Sequence, residues 1–313
     1  MTRFGDDGTE VHVALDGLQH ELVLSWAART DVGHRRAANE DSVVVGLPIF
    51  AVADGMGGHA AGDRASAAVA ERLSREHGPF AELSSLEQAF IDAGATIDAL
   101  AEGIPIGVGT TVTGAALVFD TDLPSFLVFN IGDSRVYRFE RNELAQVTVD
   151  HSVVQELVDA GLIAAEDADS HPESNVITRA LGFHDEPLPD IWRVPVRAGM
   201  RLLICSDGLT KELGDERLRL HLAAGMPAGE TASALVDAAL AAGGRDNVTV
   251  VIVDVIDAPT ISPTAPSALQ ETLEHHPAAP DLGGAPTGPP SGGNPGEGRD
   301  RLPTMKGPTE LRG

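Results

Sequence analysis

The chain has 313 residues, is 42% hydrophobic and carries a formal charge of −25 from 47 acidic and 22 basic residues, a size for one large domain or two ordinary ones. A surface of that sign repels phosphate backbones and anionic lipid, which argues against nucleic acid or a membrane surface as partner, and it draws divalent cations. Cys205 is the only cysteine, so intrachain disulfides and zinc sites built from several thiolates are excluded.

The start, "MTRFGDDGTE", lacks the basic-then-apolar pattern of a secretory signal. The longest apolar run, "VTVVIVDVI", is far shorter than a membrane helix and contains an Asp. A cytoplasmic protein with no membrane span is therefore expected. Residues 1–20 read as an N-terminal extension. β-branched and aromatic runs bounded by Gly, Asp, Asn or Pro predict strands over 21–28, 42–45 and 49–53. Helices follow over 62–76 and 84–101, the second opened by Ser84 and Glu87 in capping-box spacing. Strands over 112–119, 125–131 and 135–139 come next, then a helix over 152–160 that Gly161 is placed to end. Strands over 191–196 and 201–206, helices over 208–213 and 230–242, and a strand over 248–255 complete the set. The strands across 112–139 follow one another directly, which predicts an α+β fold of antiparallel sheets with helices set aside, not a doubly wound parallel sheet. No internal repeat and no dinucleotide-binding glycine fingerprint is present. The stretch 258–313 holds 11 of the 20 prolines and too little apolar surface to offset its ordering entropy, so a disordered tail is expected there, after a folded domain over 21–257.

Chemistry concentrates at strand ends. "IFAVA" is followed by Asp54-Gly55, "SFLVFNI" by Gly132-Asp133 and "RLLICS" by Asp207-Gly208, while Asp246 stands just before the last strand. A strand that ends and an antiparallel neighbour that begins meet at one edge, so four carboxylates spread along the chain can converge there. With few Lys or Arg expected nearby, they form a hard oxygen donor set suited to Mg²⁺ or Mn²⁺. Asp-Gly and Gly-Asp are also ordinary turn dipeptides, and spacing alone does not prove convergence. In "RTDVGHRRAANEDS", Arg35 and Arg36 precede Glu40 and Asp41. An Arg beside such a site can hold a phosphate through its planar fork of donors, and a solvated charged loop is the competing reading. Cys205 reads as a small buried hydrophobe.

The motifs "TDVGHRRAANED", "VADGMGGHAAG", "GTT", "NIGDSRVYR", "VDHSVVQELVDAGLI", "HPESNVITRALG", "LLICSDGLT" and "GGRDNVTVVIV" lie in this order between Leu22 and Val255. Together they resemble the metal-dependent serine/threonine protein phosphatases (PP2C or PPM), most of all the compact bacterial members. The resemblance implies a four-layer α-β-β-α sandwich, with two antiparallel sheets face to face and helices outside each. It implies two Mn²⁺ or Mg²⁺ ions, with a third position beside them. Asp54 would bridge two ions, Gly55 would give a carbonyl to one, and Asp207 and Asp246 would complete the other. Asp133 with Asp207 matches the third position. Glu40 and Asp41 would act through metal-bound water, and Arg36 would bind phosphate, leaving Arg35 incidental. The implied reaction is hydrolysis of phosphoserine and phosphothreonine on proteins by a metal-bridged hydroxide, with no covalent intermediate. Many eukaryotic relatives carry a histidine directly after Asp-Gly, where this chain has Met56. His59, three residues on, is a candidate general acid, and metal-bound water is the alternative. His151 matches a structural residue, and His171 lies in a flap over 161–185 near the site. The resemblance further implies phosphorylated proteins and a Ser/Thr kinase as partners of a monomeric enzyme reversing kinase signalling. The alternatives are a pseudophosphatase that keeps the fold as a binding module, and a small-molecule phosphomonoesterase. The acidic charge counts against a nuclease.

Overall fold

The computed structural model describes residues 1–259 apart from 16, 19, 58–60, 103, 105–106, 120–122 and 184–187 and the side chains of 169 and 170; the tail expected beyond residue 259 lies outside the described residues. The chain begins with β1 (Thr2–Phe4), β2 (Gly8–Val13), β3 (Leu22–Asp31), β4 (Asp41–Val44) and β5 (Ile49–Gly57). β1 and β2 fall in the stretch expected to be an extension. Instead β1 pairs in parallel with β4, Thr2 opposite Ser42, and β2 pairs antiparallel with β3, Val13 opposite Leu22. Both are short edge strands, β1 of three residues and β2 alternating only over Val11 and Val13, so their pairing is what reveals them.

Next come α1 (Gly62–Leu73) and α2 (Leu83–Ala101). The Ser84–Glu87 capping box does not form: α2 starts one residue earlier, with Glu82 as its extended N-cap residue, and Ser84 is already in the first turn. β6 (Val108–Thr110), β7 (Val112–Val118), β8 (Ser125–Ile131), β9 (Arg135–Glu140) and β10 (Glu143–Gln146) lead to α3 (Val153–Asp159). Ser152 caps α3, its Oγ accepting from the Gln155 N–H at 3.3 Å. Gly161 ends that segment with φ +68°, and Leu162 N–H reaches back to the Leu157 carbonyl at 2.8 Å. A 3₁₀ turn over Ala165–Ser170 precedes β11 (Asp190–Pro195), β12 (Arg201–Cys205), α4 (Asp207–Thr210), α5 (Asp215–Ala223), α6 (Ala228–Ala242) and β13 (Val248–Asp257). The helix expected over 208–213 is thus the single short turn α4, with α5 following as a separate element.

Among the described residues one sheet runs β1-β4-β5-β7-β8-β11 with β6 on β5, and the other runs β10-β9-β12-β13-β3-β2. All pairings but β1 with β4 are antiparallel. The period of two sorts each strand between two layers. Phe50 and Val52 of β5 face the other sheet and join Leu24, Trp26, Phe126, Leu202 and Val253 in the central core, where the Trp26 and Phe50 rings lie 5.3 Å apart. Ile49, Ala51 and Ala53 face outward against Leu73 of α1 and Phe90 and Ile97 of α2. On the far side Leu203, Cys205 and Ile252 pack against Leu218 of α5 and Leu235 and Ala239 of α6. Each of the larger aliphatic and aromatic side chains contributes about 1.5–3 kcal/mol of burial. The result is the four-layer α-β-β-α sandwich. Both faces of the central strands are covered, which explains their continuous apolar runs. No helix among the described residues is long and apolar enough to cross a membrane.

Candidate active site

β8 and β12 end, β4 and β13 begin, and β5 passes at one edge of this sandwich. Asp54 is not at a strand end as expected. β5 continues through it to Gly57 because β6 supplies a partner, Gly55 opposite Thr110 and Gly57 opposite Val108. Thr111 locks the Asp54 backbone: its N–H donates to the Asp54 carbonyl at 2.9 Å, and its Oγ1 accepts from the Asp54 N–H at 3.2 Å. Thr110 Oγ1 donates to the same carbonyl at 2.8 Å. Gly55 is there because of close approach: a Cβ at this position would sit 2.0 Å from the Gly62 carbonyl oxygen and 2.8 Å from that of Glu40. The glycine thus lets the start of α1 press against β5.

Asp41 lies opposite Asp54 on β4. Its carboxylate is fully buried and ties the two sheets together, with Oδ2 accepting from Ser206 Oγ and Thr249 Oγ1 of the other sheet. Asp133 and Asp207 are 7% and 9% exposed. Burial foremost, then the neighbouring carboxylates, pushes Asp41 and Asp133 up to about 7 and Asp54 well above the ordinary carboxylate range. Asp41, Asp54, Asp133, Asp207 and Asp246 thus form one electrostatic group, and the four strand-boundary carboxylates do converge. Glu40 stands beside it, raised by burial and by Asp63 of α1. Asp63, whose Oδ1 is buried without a hydrogen-bond partner, was not singled out in the sequence, where it reads as an ordinary acid in a first helical turn.

Two cations enter this group: Arg36, expected there from the resemblance, and Lys211, which was not. Arg36 Nη2 donates to Asp246 Oδ2 at 2.7 Å from an exposed loop. Asn247 clamps that loop: its Nδ2 donates to the carbonyls of Val32 and Ala38, and its Oδ1 accepts from Glu40 N–H. Lys211 pairs with Asp207 Oδ2 one turn along from it. Burial works against the Lys211 charge, and Asp207 overrides it, holding the ammonium above its usual range. The Lys was missed because it lies on the α4 turn behind the strand-end motif.

The donor set fits divalent cations. Asp133 Oδ1 and Asp207 Oδ1 are buried oxygens without hydrogen-bond partners, and such atoms in a polar cluster call for an ion or water. Among the described residues no three His, Cys, Asp or Glu side chains already stand in coordinating geometry; Lys211 and Arg36 hold Asp207 and Asp246 in the arrangement seen.

Of the other candidates, His59 lies outside the described residues. Met56 continues β5 and is partly buried. Cys205 is buried, its thiol pushed up to about 12 by burial, which leaves it an inert core group. His151 is 8% exposed, and its Nδ1 accepts from the Gly132 N–H at 3.0 Å, bracing the turn that carries Asp133. The His171 ring accepts from the Glu173 N–H at 3.2 Å within its own loop. The flap returns to the site where Leu181 pairs with Thr110, each N–H donating to the other's carbonyl at 3.0 Å.

The sandwich and its acidic edge agree with a match to the Protein phosphatase 2C family over residues 33–242, and the chain belongs to that family. Among relatives, it is 44% identical over 241 residues to the serine/threonine protein phosphatase PstP of Mycobacterium tuberculosis (strain CDC 1551 / Oshkosh), covering 75% of this chain and 46% of that protein. The match thus spans about half the length of PstP. It is 35% identical over 240 residues to the serine/threonine phosphatase stp of Listeria monocytogenes serotype 4b (strain F2365), covering 72% of this chain and 94% of the relative. The crystal structure of the PstP catalytic domain in complex with two manganese ions is 42% identical, covers 75% of this chain and 100% of that one, and superposes with a TM-score of 0.66.

Proposed function

We propose that this protein hydrolyses phosphoserine and phosphothreonine on proteins with two Mn²⁺ or Mg²⁺ ions bound at the acidic edge. The observation that carries the reading is the convergence of Asp54, Asp133, Asp207 and Asp246, two of them with buried, unpartnered oxygens. Relatives named as serine/threonine phosphatases and a related catalytic domain holding two manganese ions support it. Asp54, the Gly55 carbonyl, Asp207 and Asp246 would hold the two ions. Asp133 and Asp207 offer a third position. When bound, the ions supply Lewis acidity and an activated water near neutral pH.

The chain's own residues do the rest. Arg36 exchanges Asp246 for the substrate's phosphoryl oxygens and holds them by its fork of donors. Glu40 and Asp41 orient water at the edge. With Met56 after Asp-Gly, the leaving oxygen takes its proton from His59 or from water. The substrates are phosphorylated proteins in the cytoplasm, opposed by a Ser/Thr kinase, and the enzyme acts as a monomer. Hydrolysis of p-nitrophenyl phosphate and of phosphothreonine peptides is the direct test: both require Mn²⁺ or Mg²⁺ and stop with chelator. Activity that survives chelation, or hydrolysis of small phosphate esters with none on the peptides, overturns the reading.

A further inference from the structure

Lys211 occupies an unusual place for a basic side chain in so acidic a molecule. Its N–H donates to the Asp207 carbonyl at 2.8 Å, closing the short α4 turn. The i, i+4 spacing then lays its stem over the same face as Asp207, and the ammonium hydrogen-bonds Asp207 Oδ2. The Lys side chain is 34% exposed and that of Asp207 11%, so the lysine keeps more contact with solvent than the carboxylate it pairs with. Asp207 Oδ1, the other oxygen, is buried and unpartnered, as is Asp133 Oδ1.

Structural cations in this chain look different. Arg201, at the opposite end of β12, grips Asp254 with two nitrogens and also donates to the carbonyls of Leu222 and Met226 and to Thr231. Arg135 holds Asp150 through Nε and Nη2. Both are planar forks fixed at several points. Lys211 is a point charge on a flexible stem, held to its carboxylate by one ammonium contact and partly open to water, and such a group can leave.

We propose that Lys211 is a tethered counter-ion of the acidic centre, pairing with Asp207 in the metal-free chain and withdrawing when Asp207 takes an ion. It thereby sets how tightly the centre holds its divalent cations. The proposal rests on the metal-dependent reading above. Its thermodynamic content is definite: an ion pair present only in the metal-free state stabilises that state and weakens metal binding by the same amount. Repulsion between the ammonium and an incoming ion adds in the same direction.

The test is calorimetric titration of Mn²⁺ alone into the metal-free full chain, for wild type, Lys211→Met and Lys211→Arg, with melting temperatures at zero and saturating Mn²⁺. Lys211→Met is expected to bind Mn²⁺ about tenfold more tightly, the scale of one partly exposed ion pair plus its repulsion. It melts lower than wild type without Mn²⁺, and the gap closes at saturation. Lys211→Arg keeps the charge and stays near wild type. A purely structural lysine would lower the melting temperature at every Mn²⁺ concentration and leave affinity unchanged, and that result overturns the counter-ion role. Wild-type protein that takes up no Mn²⁺ overturns the metal-dependent reading itself.

Discussion

Asp41 and Asp54 lie directly opposite each other across β4 and β5, two acids on one rung of a sheet edge. Like charges in that position repel, and among the described residues neither side chain has a basic hydrogen-bond partner. What holds Asp41 is a pair of hydroxyls, Ser206 and Thr249, from the opposing sheet. What holds the Asp54 backbone is Thr110 and Thr111. The sandwich therefore stores electrostatic strain at its acidic edge, and the first consequences concern stability.

Stability of the metal-free chain falls as pH rises from about 4 to about 7. Unfolded carboxylates titrate near 3.8, whereas burial and mutual repulsion lift Asp41 and Asp133 to about 7 in the folded state and Asp54 well above its usual range. Over that window the folded chain binds more protons than the unfolded one, so a raised carboxylate adds stability at low pH and loses it through the folded value. Urea midpoints of the metal-free protein at pH 5, 6, 7 and 8 check this. A midpoint that climbs over the range contradicts the buried acidic cluster.

Asp54→Asn separates function from stability. The amide mimics the protonated carboxyl that burial and the neighbouring acids favour, so the metal-free chain is spared that titration cost and gains about 1 kcal/mol or more in urea unfolding. Hydrolysis of p-nitrophenyl phosphate falls to background, as it also does for Asp207→Asn. A variant that keeps activity would remove that carboxylate from the metal set.

Strand segments buried on both faces, over 49–53 and 248–255, show in the sequence as continuous apolar runs. The edge strands Thr2–Phe4 and Glu143–Gln146 do not, because partly exposed residues leave no apolar signature. Asp54, Asp133, Asp207 and Asp246 were legible from their shared position beside strand boundaries, although the continuation of β5 past Asp54 depended on β6, a three-residue partner over fifty positions away. Lys211 and Asp63 were not legible. Each is an ordinary charged residue of a helical turn, and only the packing of α4 and α1 against the sheets brings them to the acidic edge.

Arg36→Ala should act mainly on substrate binding. Its guanidinium is exposed on the loop clamped by Asn247 and is bonded to Asp246 at 2.7 Å, within the cluster but outside the buried carboxylates. Loss of a charge-assisted fork to phosphate raises KM by about 10- to 100-fold. Lysine restores the charge without the fork and recovers only part. An unchanged KM for p-nitrophenyl phosphate in Arg36→Ala removes its phosphate role.

Gly55→Ala tests the close approach of α1 to β5. Its Cβ would meet backbone oxygens of Gly62 and Glu40 at 2.0 and 2.8 Å, which backbone shifts relieve at about 3 kcal/mol. Gly94 in the middle of α2 is the control: a Cβ there meets only Leu181 Cδ1, at 3.8 Å. Gly94→Ala should stabilise by about 0.5–1 kcal/mol through helix propensity. Chemical denaturation of the two variants beside wild type gives both signs in one experiment.

His151→Ala tests whether the turn bearing Asp133 is held from behind. The ring accepts from the Gly132 N–H at 3.0 Å, the His151 N–H returns to the Gly132 carbonyl at 2.9 Å, and the His151 carbonyl accepts from Thr178 of the flap at 2.9 Å. On its other side Nε2 faces Arg179 and Asp190, and against the pull of burial the histidine and arginine hold Asp190 down to about 2. Removing the ring orphans a buried N–H at about 1–3 kcal/mol and frees the Gly132–Asp133 turn. Because Asp41, Asp54 and Asp246 are held by other elements, the effect on metal binding should be confined to the Asp133 side. Calorimetry should show weakened Mn²⁺ uptake for the ion nearest Asp133, with the remaining uptake near wild type. Equal weakening of every ion instead would mean that His151 supports the whole edge and not this turn alone.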